Sequence, residues 1–346
     1  MKDVSIKDVA ARAGVSPKTV SRVINGEQHV RPEVRDVVLR VVAELDYRPN
    51  IFARSLSSSR SYLLGLFLDD PSSGYASDVQ LGALLRCRER SYHLIVEPVD
   101  LAKANWEHQI ESSIRGLRLD GAILTPPLCD DPRVIEIVTA AGIPFVRISP
   151  RGDPEVSGAV EMDEFAAAID MTRHLIDLGH CEIGFIMGDP QHDSSRKRYD
   201  GFRYAMTSAG LGVKESFMMQ GDFSMRSALG PAERLLGTPD RPTAIFASND
   251  DMALAALITA MKFGIAVPEA LSICGFDDAP SARTAWPSLT TIRQPKAEMA
   301  AASVDMLVDP FYRTRADDER FHRLLPYELI KRQSTGRAPG MDNVEA

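Results

Sequence analysis

Lys18, Thr19, Ser21, Arg22 and Asn25 fall on one face of a short helical pattern, and each can donate a hydrogen bond. On the opposite face, Val20, Val23 and Ile24 recur at i, i+3 and i+4, which makes that side apolar. Ser16 offers an oxygen to the first free N–H groups, and Pro17 suits a first helical position that needs no N–H. Upstream, residues 6–13 form a second short amphipathic pattern, ended by Gly14. Helix, glycine turn and capped polar helix is the helix-turn-helix pattern, whose second helix enters the major groove. An ordinary αα-hairpin shares this spacing.

A second set of residues follows the ends of apolar runs further along the chain. Tyr75 comes after Asp69-Asp70-Pro71-Ser72-Ser73-Gly74 and can wall a pocket or belong to a surface turn. Arg198 falls in the first turns of a helix, where its fork can bond two hydroxyls or a carboxylate. A helix N-terminus is already positive, so a cation there needs a ligand or a salt-bridge partner. Asn249, Asp277 and Gln294 each follow a strand end, and Phe223 follows another, where its ring can stack on a sugar face. Carboxylate, amides and guanidinium are the mix that a polyhydroxyl ligand needs. Asp250 is expected to cap a helix.

Catalysis finds little support. There is no GxSxG, HExxH or phosphate loop, and the seven histidines do not cluster. Asp277 and Asp278 are neighbours in an extended segment and point different ways, so a metal pair is not expected. Cys87, Cys129, Cys181 and Cys274 are far apart, lack metal-ligand spacing and read as reduced residues. The expectation is a non-enzyme with no cofactor and no metal.

The elements that position these residues follow from the pattern. With 346 residues, 44% hydrophobic and 25% charged, the chain is a soluble globular protein of two or three domains. Residues 1–60 hold eleven Lys and Arg against seven Asp and Glu, a balance of +4, so the remainder carries −12 of the total −8. A basic head on an acidic body suits nucleic-acid binding. No apolar signal core and no run of transmembrane length is seen, so a cytoplasmic location with no membrane partner is expected.

Residues 1–48 read as three helices, the third over about 31–45 with Val34, Val37, Val38, Val41, Val42 and Leu45 as its core stripe. Pro49 and Asn50 then introduce either a two-turn helix over 51–56 that forms against DNA or a plain tether, followed by a serine-rich linker to 61. From Leu63, apolar runs alternate with helical patterns in two series. The runs are unbroken, as in parallel strands covered on both faces. This predicts an α/β body of two doubly wound parallel-sheet lobes within 62–340, joined to the all-α head. The first lobe is expected over about 62–157 plus 292–320, and the second over 158–290 plus 321–335. Residues 336–346 read as a disordered tail. Ligands in such sheets sit beyond the carboxyl ends of the strands.

At this point the sequence resembles the lactose-repressor (LacI/GalR) family of bacterial transcriptional regulators over nearly its full length. The head carries the resemblance in Ile6-Lys7-Asp8-Val9-Ala10, Ala13-Gly14-Val15-Ser16, Thr19 to Asn25, Tyr47-Arg48-Pro49-Asn50 and Ala53-Arg54-Ser55-Leu56. The body adds Leu178-Gly179-His180, Gly201-Phe202, Ser248-Asn249-Asp250, Gly275-Phe276-Asp277-Asp278 and Leu289-Thr290-Thr291-Ile292.

The resemblance implies that Pro17, Lys18 and Arg22 stand at base edges, with only Lys18 and Arg22 able to make polar contacts. It implies phosphate contacts by Ser5, Ser16, Thr19, Ser21, Asn25 and His29. A hinge with Asn50, Ala53, Arg54 and the wedge Leu56 would enter the minor groove. Lobes like those of periplasmic sugar-binding proteins would hold the effector among Tyr75, Arg198, Phe223, Asn249, Asp277 and Gln294. The implied protein is a repressor of carbohydrate-utilisation genes, bound as a homodimer to a near-palindromic double-stranded operator and controlled by a small sugar. A purine-responsive repressor and a cytoplasmic solute-binding protein are the alternatives. The tail lacks the leucine repeat of a tetramer, so a dimer is expected. Departures from the family pattern fall on Ala76, often aromatic there, and on Ser149, where Asp is common, with Arg147 two residues earlier.

Overall fold

The computed structural model describes residues 4–24, 30–47, 60–152, 156–312 and 321–340. The chain divides into two compact units, Met1–Tyr62 and Leu63–Ala346, each with its own core.

The first unit holds α1 (Ile6–Ala13), α2 (Pro17–Ile24) and α3 (Pro32–Glu44). The backbone N–H and hydroxyl of Ser5 donate to the Asp8 carboxylate at 2.8 and 2.6 Å, which fixes the start of α1. Gly14, at φ 68°, closes α1 in the left-handed region that other residues rarely adopt. Ser16 Oγ then accepts the Thr19 N–H at 3.1 Å and starts α2. Val9, Ala10, Val20, Val23, Val38 and Val41 form the core. Val37, expected in the stripe, is 40% exposed. Two short helices cover only a narrow face of α3, and Val37 lies beyond its edge. The hinge helix expected over 51–56, with Asn50, Ala53, Arg54 and Leu56, lies outside the described residues.

The second unit begins with β1 (Leu63–Leu68), α4 (Gly74–Glu89), β2 (His93–Pro98), α5 (Trp106–Leu117), β3 (Gly121–Leu124), α6 (Pro132–Ala140), β4 (Phe145–Ile148) and β5 (Gly158–Met162). It continues with α7 (Glu164–Asp177), β6 (Ile183–Met187), α8 (Asp193–Ser208), β7 (Met218–Gln220), α9 (Met225–Leu236), β8 (Ala244–Ala247) and α10 (Asp250–Lys262). The last elements are β9 (Ser272–Cys274), α11 (Pro280–Thr284), β10 (Thr291–Arg293), α12 (Lys296–Val308), β11 (His322–Leu325) and β12 (Glu328–Ile330).

Two parallel sheets result. The first has the order β11-β5-β4-β3-β1-β2 and the second β7-β6-β8-β9, while β10 and β12 form an antiparallel pair. Central strands such as β3 and β4 are buried along their whole length, and the edge strand β2 is half-exposed. That is the burial expected of sheets covered by helices on both faces. In the first sheet Leu66 of β1 lies between Val96 and Ile123.

The lobe boundaries differ from the sequence expectation at three places. β5 pairs with β4, so the first lobe runs to Met162 rather than 157. β11 pairs with β5 and also belongs to the first lobe, although 321–335 was expected wholly in the second. β10 belongs with the second lobe, since Thr290 and Arg293 bridge to Cys274 and Asp277. The chain therefore crosses between lobes near 163, 294 and 326.

The tail expected to be disordered from 336 is held as far as the described residues run, to 340. Ser272 Oγ accepts the Gly336 N–H at 3.0 Å, His180 Nε2 lies 3.1 Å from the Gly336 carbonyl, and the Ala338 N–H donates to Leu178. No helix among the described residues is long and apolar enough to cross a membrane.

Candidate functional site

In the head, α2 presents Pro17, Lys18 and Arg22 to solvent, with Lys18 and Arg22 one turn apart. Val20 and Val23 anchor the opposite face. The cap at Ser16 fixes where this helix starts, so its two cations are carried by a positioned backbone. The hydroxyls expected on phosphate are partly engaged already. Ser5 donates to Asp8, and the Ser16 and Thr19 hydroxyls lie 2.9 Å apart. Ser21 is half-buried, while Asn25 and His29 lie outside the described residues.

In the body, Tyr75, Arg198, Phe223, Asn249, Asp277 and Gln294 all line one cleft of about 710 Å³. Loops after β1, β3 and β4 supply one wall, and loops after β6, β7, β8 and β9 supply the other, all at carboxyl ends of strands. Gln294 comes from the crossing between β10 and α12. The volume is that of a small-molecule site.

Arg198 lies at the centre of the cleft's polar wall. Its Nε donates to Glu164 Oε2 at 2.8 Å, Nη2 to Oε1 at 3.3 Å, and Nη1 to the Ser248 carbonyl. Its guanidinium also lies 3.7 Å from the Phe276 ring centroid. Burial works against its charge, but Glu164 outweighs burial and keeps it firmly protonated. The sequence left a ligand or a salt bridge open for Arg198; the structure shows the salt bridge, on a residue that also lines the cleft.

Phe223 adopts φ 71° and faces the imidazole of His192, with ring centroids 5.4 Å apart. Gly188 makes room for that ring, because a Cβ at this position would lie 2.1 Å from it. Asn249, rather than Asp250, is the cap of α10: its Oδ1 accepts the Met252 N–H at 3.0 Å, while its Nδ2 holds the Phe223 carbonyl at 2.8 Å. The Tyr75 hydroxyl is enclosed and has no hydrogen-bond partner among the described residues. Burial raises its pKa, so it stays a neutral donor and acceptor.

Asp277 sits at φ 119° and Asp278 at φ 54°, both outside the usual range for a side-chain-bearing residue. Two buried supports hold this turn. Asp250 accepts the Ala279 N–H at 2.8 Å and the Thr291 hydroxyl at 2.7 Å. Burial first, then the Asp277 charge, pushes its carboxyl up to about 8. Asp278 receives Arg283 and Arg293 at 2.8 Å each, and Arg332 as well. Burial opposes its charge, but the guanidinium groups prevail and hold it below the usual carboxylate range. The Gln294 amide donates to Asp277 Oδ1.

Sequence reasoning missed Glu164, Asp189, His192 and Asp222 as cleft residues. All four follow the carboxyl end of a parallel strand, where the topology rule points; Glu164, two residues past β5, is already in the first turn of α7. Of the family departures, Ala76 and Ser149 line the cleft, while Arg147 is buried with its Nε donating to Ser157 at 3.0 Å. Among the described residues no group of three or more His, Cys, Asp or Glu could hold a metal ion.

Residues 5–50 match the bacterial regulatory proteins of the lacI family, and residues 172–335 match the periplasmic binding protein-like domain. The HTH-type transcriptional repressor PurR of Escherichia coli O139:H28 (strain E24377A / ETEC) is 33% identical over 341 residues, which is 98% of each chain. PurR of Shigella boydii serotype 18 (strain CDC 3083-94 / BS512) matches equally, at 33% over 98% of each chain. Among solved structures, the lac repressor dimer bound to operator and the anti-inducer ONPF is 28% identical. Its TM-score is 0.76, with 97% of this chain and 100% of that one covered. The transcriptional regulator CelR in complex with cellobiose is 29% identical at a TM-score of 0.72, covering 96% and 99%. The chain belongs to the lacI family of bacterial regulatory proteins.

Proposed function

We propose that this protein is an operator-binding repressor of carbohydrate-utilisation genes, working as a homodimer whose DNA affinity is set by a small sugar in the cleft. The convergence of Tyr75, Arg198, Phe223, Asn249, Asp277 and Gln294 on one cleft carries this reading. Lys18 and Arg22 read base edges, Pro17 packs beside them, and Ser5, Ser16, Thr19 and Ser21 with Asn25 and His29 hold phosphates. Arg and Lys suit the acceptor edges of guanine in the major groove. In the cleft, Phe223 offers a stacking face, and Asp277, Gln294 and Asn249 offer acceptors and donors to ring hydroxyls. CelR, a relative of comparable similarity, is solved with cellobiose, which supports a saccharide.

The ligand acts by preferring one arrangement of the lobes, and can shift operator affinity only by its differential affinity for the two states. We read the cleft as a binding site and not a catalytic one. Selection of operators from a random DNA pool, followed by anisotropy titration with and without mono- and disaccharides and nucleobases, tests the proposal. A palindromic site whose affinity one sugar changes is the expected result. A purine as the active ligand would replace the sugar. Weak, salt-sensitive binding with no sequence enrichment would overturn the operator reading.

A further inference from the structure

The charge balance of the cleft narrows the ligand further, given the effector-cleft reading above. Among the described residues lining it, Arg198 is the one guanidinium and there is no lysine. Glu164 neutralises that guanidinium. Lys296, which is buried and outside the lining, is paired with Asp78 at 2.8 Å, and its charge also reaches Asp250 and Asp251. Asp69, Asp70, Asp189, Asp222 and Asp277 line the same space with no ion pair among the described residues, and the Asp70, Asp189 and Asp222 carboxylates each accept a backbone N–H of their own turn. Asp69 follows β1 of the first lobe and Asp189 follows β6 of the second, so the carboxylates come from both walls. Burial and the neighbouring charges of Asp100, Asp70 and Asp189 raise the Asp69 carboxyl, as expected for acids crowded without a cation.

An uncharged occupant would take these carboxylates partly out of water and leave their charge uncompensated. A phosphate or carboxylate on the occupant would add repulsion. An ammonium group brings donors only, which suits ionised carboxylates that can only accept. The Tyr75 hydroxyl, enclosed and without a partner among the described residues, and the hydrogen-bonding capacity that Asn249 and Gln294 keep beyond their internal bonds suit neutral hydroxyls, so the occupant needs both kinds of group.

We propose that the effector is an amino sugar, with its protonated amine held among Asp69, Asp70 and Asp189 and its hydroxyls toward Tyr75, Asn249 and Gln294. The test is calorimetry on the full-length protein with matched sets: glucosamine, galactosamine, mannosamine and the disaccharide of two glucosamines, each beside its neutral parent, its N-acetyl form and its 6-phosphate. At least one amine is expected to bind about tenfold or more tightly than its neutral parent and N-acetyl form, with the margin shrinking as salt rises. The Asp69→Asn/Asp189→Asn double variant is expected to lose that margin while its melting temperature at low salt holds or rises. Equal or tighter binding of a neutral or phosphorylated partner overturns the proposal, and so does the failure of every amine to bind. A neutral sugar that shifts operator affinity would leave the regulatory reading standing and overturn this one. An amine that binds without moving operator affinity would keep the cleft's preference for a cationic sugar and overturn its role as effector.

Discussion

The reading face of the head and the cleft of the body carry recognition in opposite ways. On α2, Lys18 and Arg22 stand in solvent, and the residues that fix the helix, Ser16, Val20 and Val23, are different ones. In the cleft the same side chains do both jobs. Arg198 is salt-bridged to Glu164, Asn249 caps α10 while holding the Phe223 carbonyl, and Gln294 is bonded to Asp277. A face meant to meet a long polyanion keeps its cations exposed and its scaffold separate. A site meant to respond to a small molecule is built into the network that sets the shape of the body. Substitutions at Lys18 and Arg22 should therefore alter recognition alone, while those in the cleft should alter recognition and stability together.

The largest effect is expected at Glu164. Glu164→Gln leaves the buried Arg198 guanidinium without its counter-charge and should destabilise the body by roughly 3–5 kcal/mol. Denaturant unfolding measures this, and a loss within about 0.5 kcal/mol, typical of a surface change, would place the pair outside the supporting network.

On the head, Arg22→Ala should weaken specific operator binding by roughly 1–3 kcal/mol per half-site, with unfolding and ligand binding unaltered. Retained discrimination between operator and mismatched sites would remove Arg22 from the base edges. Asp277→Ala should weaken the ligand by roughly 1.5–3 kcal/mol and abolish its effect on DNA, leaving ligand-free operator affinity as it was. An unchanged ligand response would take Asp277 out of the site.

A further effect is a slope. The Asp250 carboxyl stays protonated in the folded chain up to about 8, whereas an unfolded aspartate ionises near pH 4. Its contribution to stability is thus fully present below the unfolded value and is lost as pH rises toward the folded one. Asp250→Asn, isosteric and neutral at every pH, should gain in melting temperature relative to the parent as pH rises from 5 to 8. A pH-independent difference would mean that Asp250 is ionised in the fold.

The sequence made the site's contents legible more readily than its connections. Tyr75, Phe223, Asn249, Asp277 and Gln294 follow strand ends, and parallel sheets bind ligands there whatever the neighbouring chain does. Glu164 was hidden because an acid in the first turn of a helix is ordinary on its own, and its partner lies 34 residues away. β5 and β11 were read into the wrong lobe because parallel pairing is non-local, and the chain leaves each strand directly for the other lobe. Val37 looked like core because helical periodicity marks a stripe without telling how much of it a small head can cover. Residues 336–340 read as tail because their composition is polar, while what holds Gly336 and Ala338 is backbone hydrogen bonding to Ser272 and Leu178.

The central claim is that the cleft and the reading face are thermodynamically linked, and reciprocity tests it most directly. The affinity of the selected ligand is measured by calorimetry with and without saturating operator, beside operator affinity with and without saturating ligand. Linkage requires the two ratios to be the same factor, typically about 5–150. The account predicts that equality, and its collapse to one in Asp277→Ala. A ligand affinity indifferent to operator would contradict it and leave a DNA-binding head and a solute-binding body that happen to share a chain.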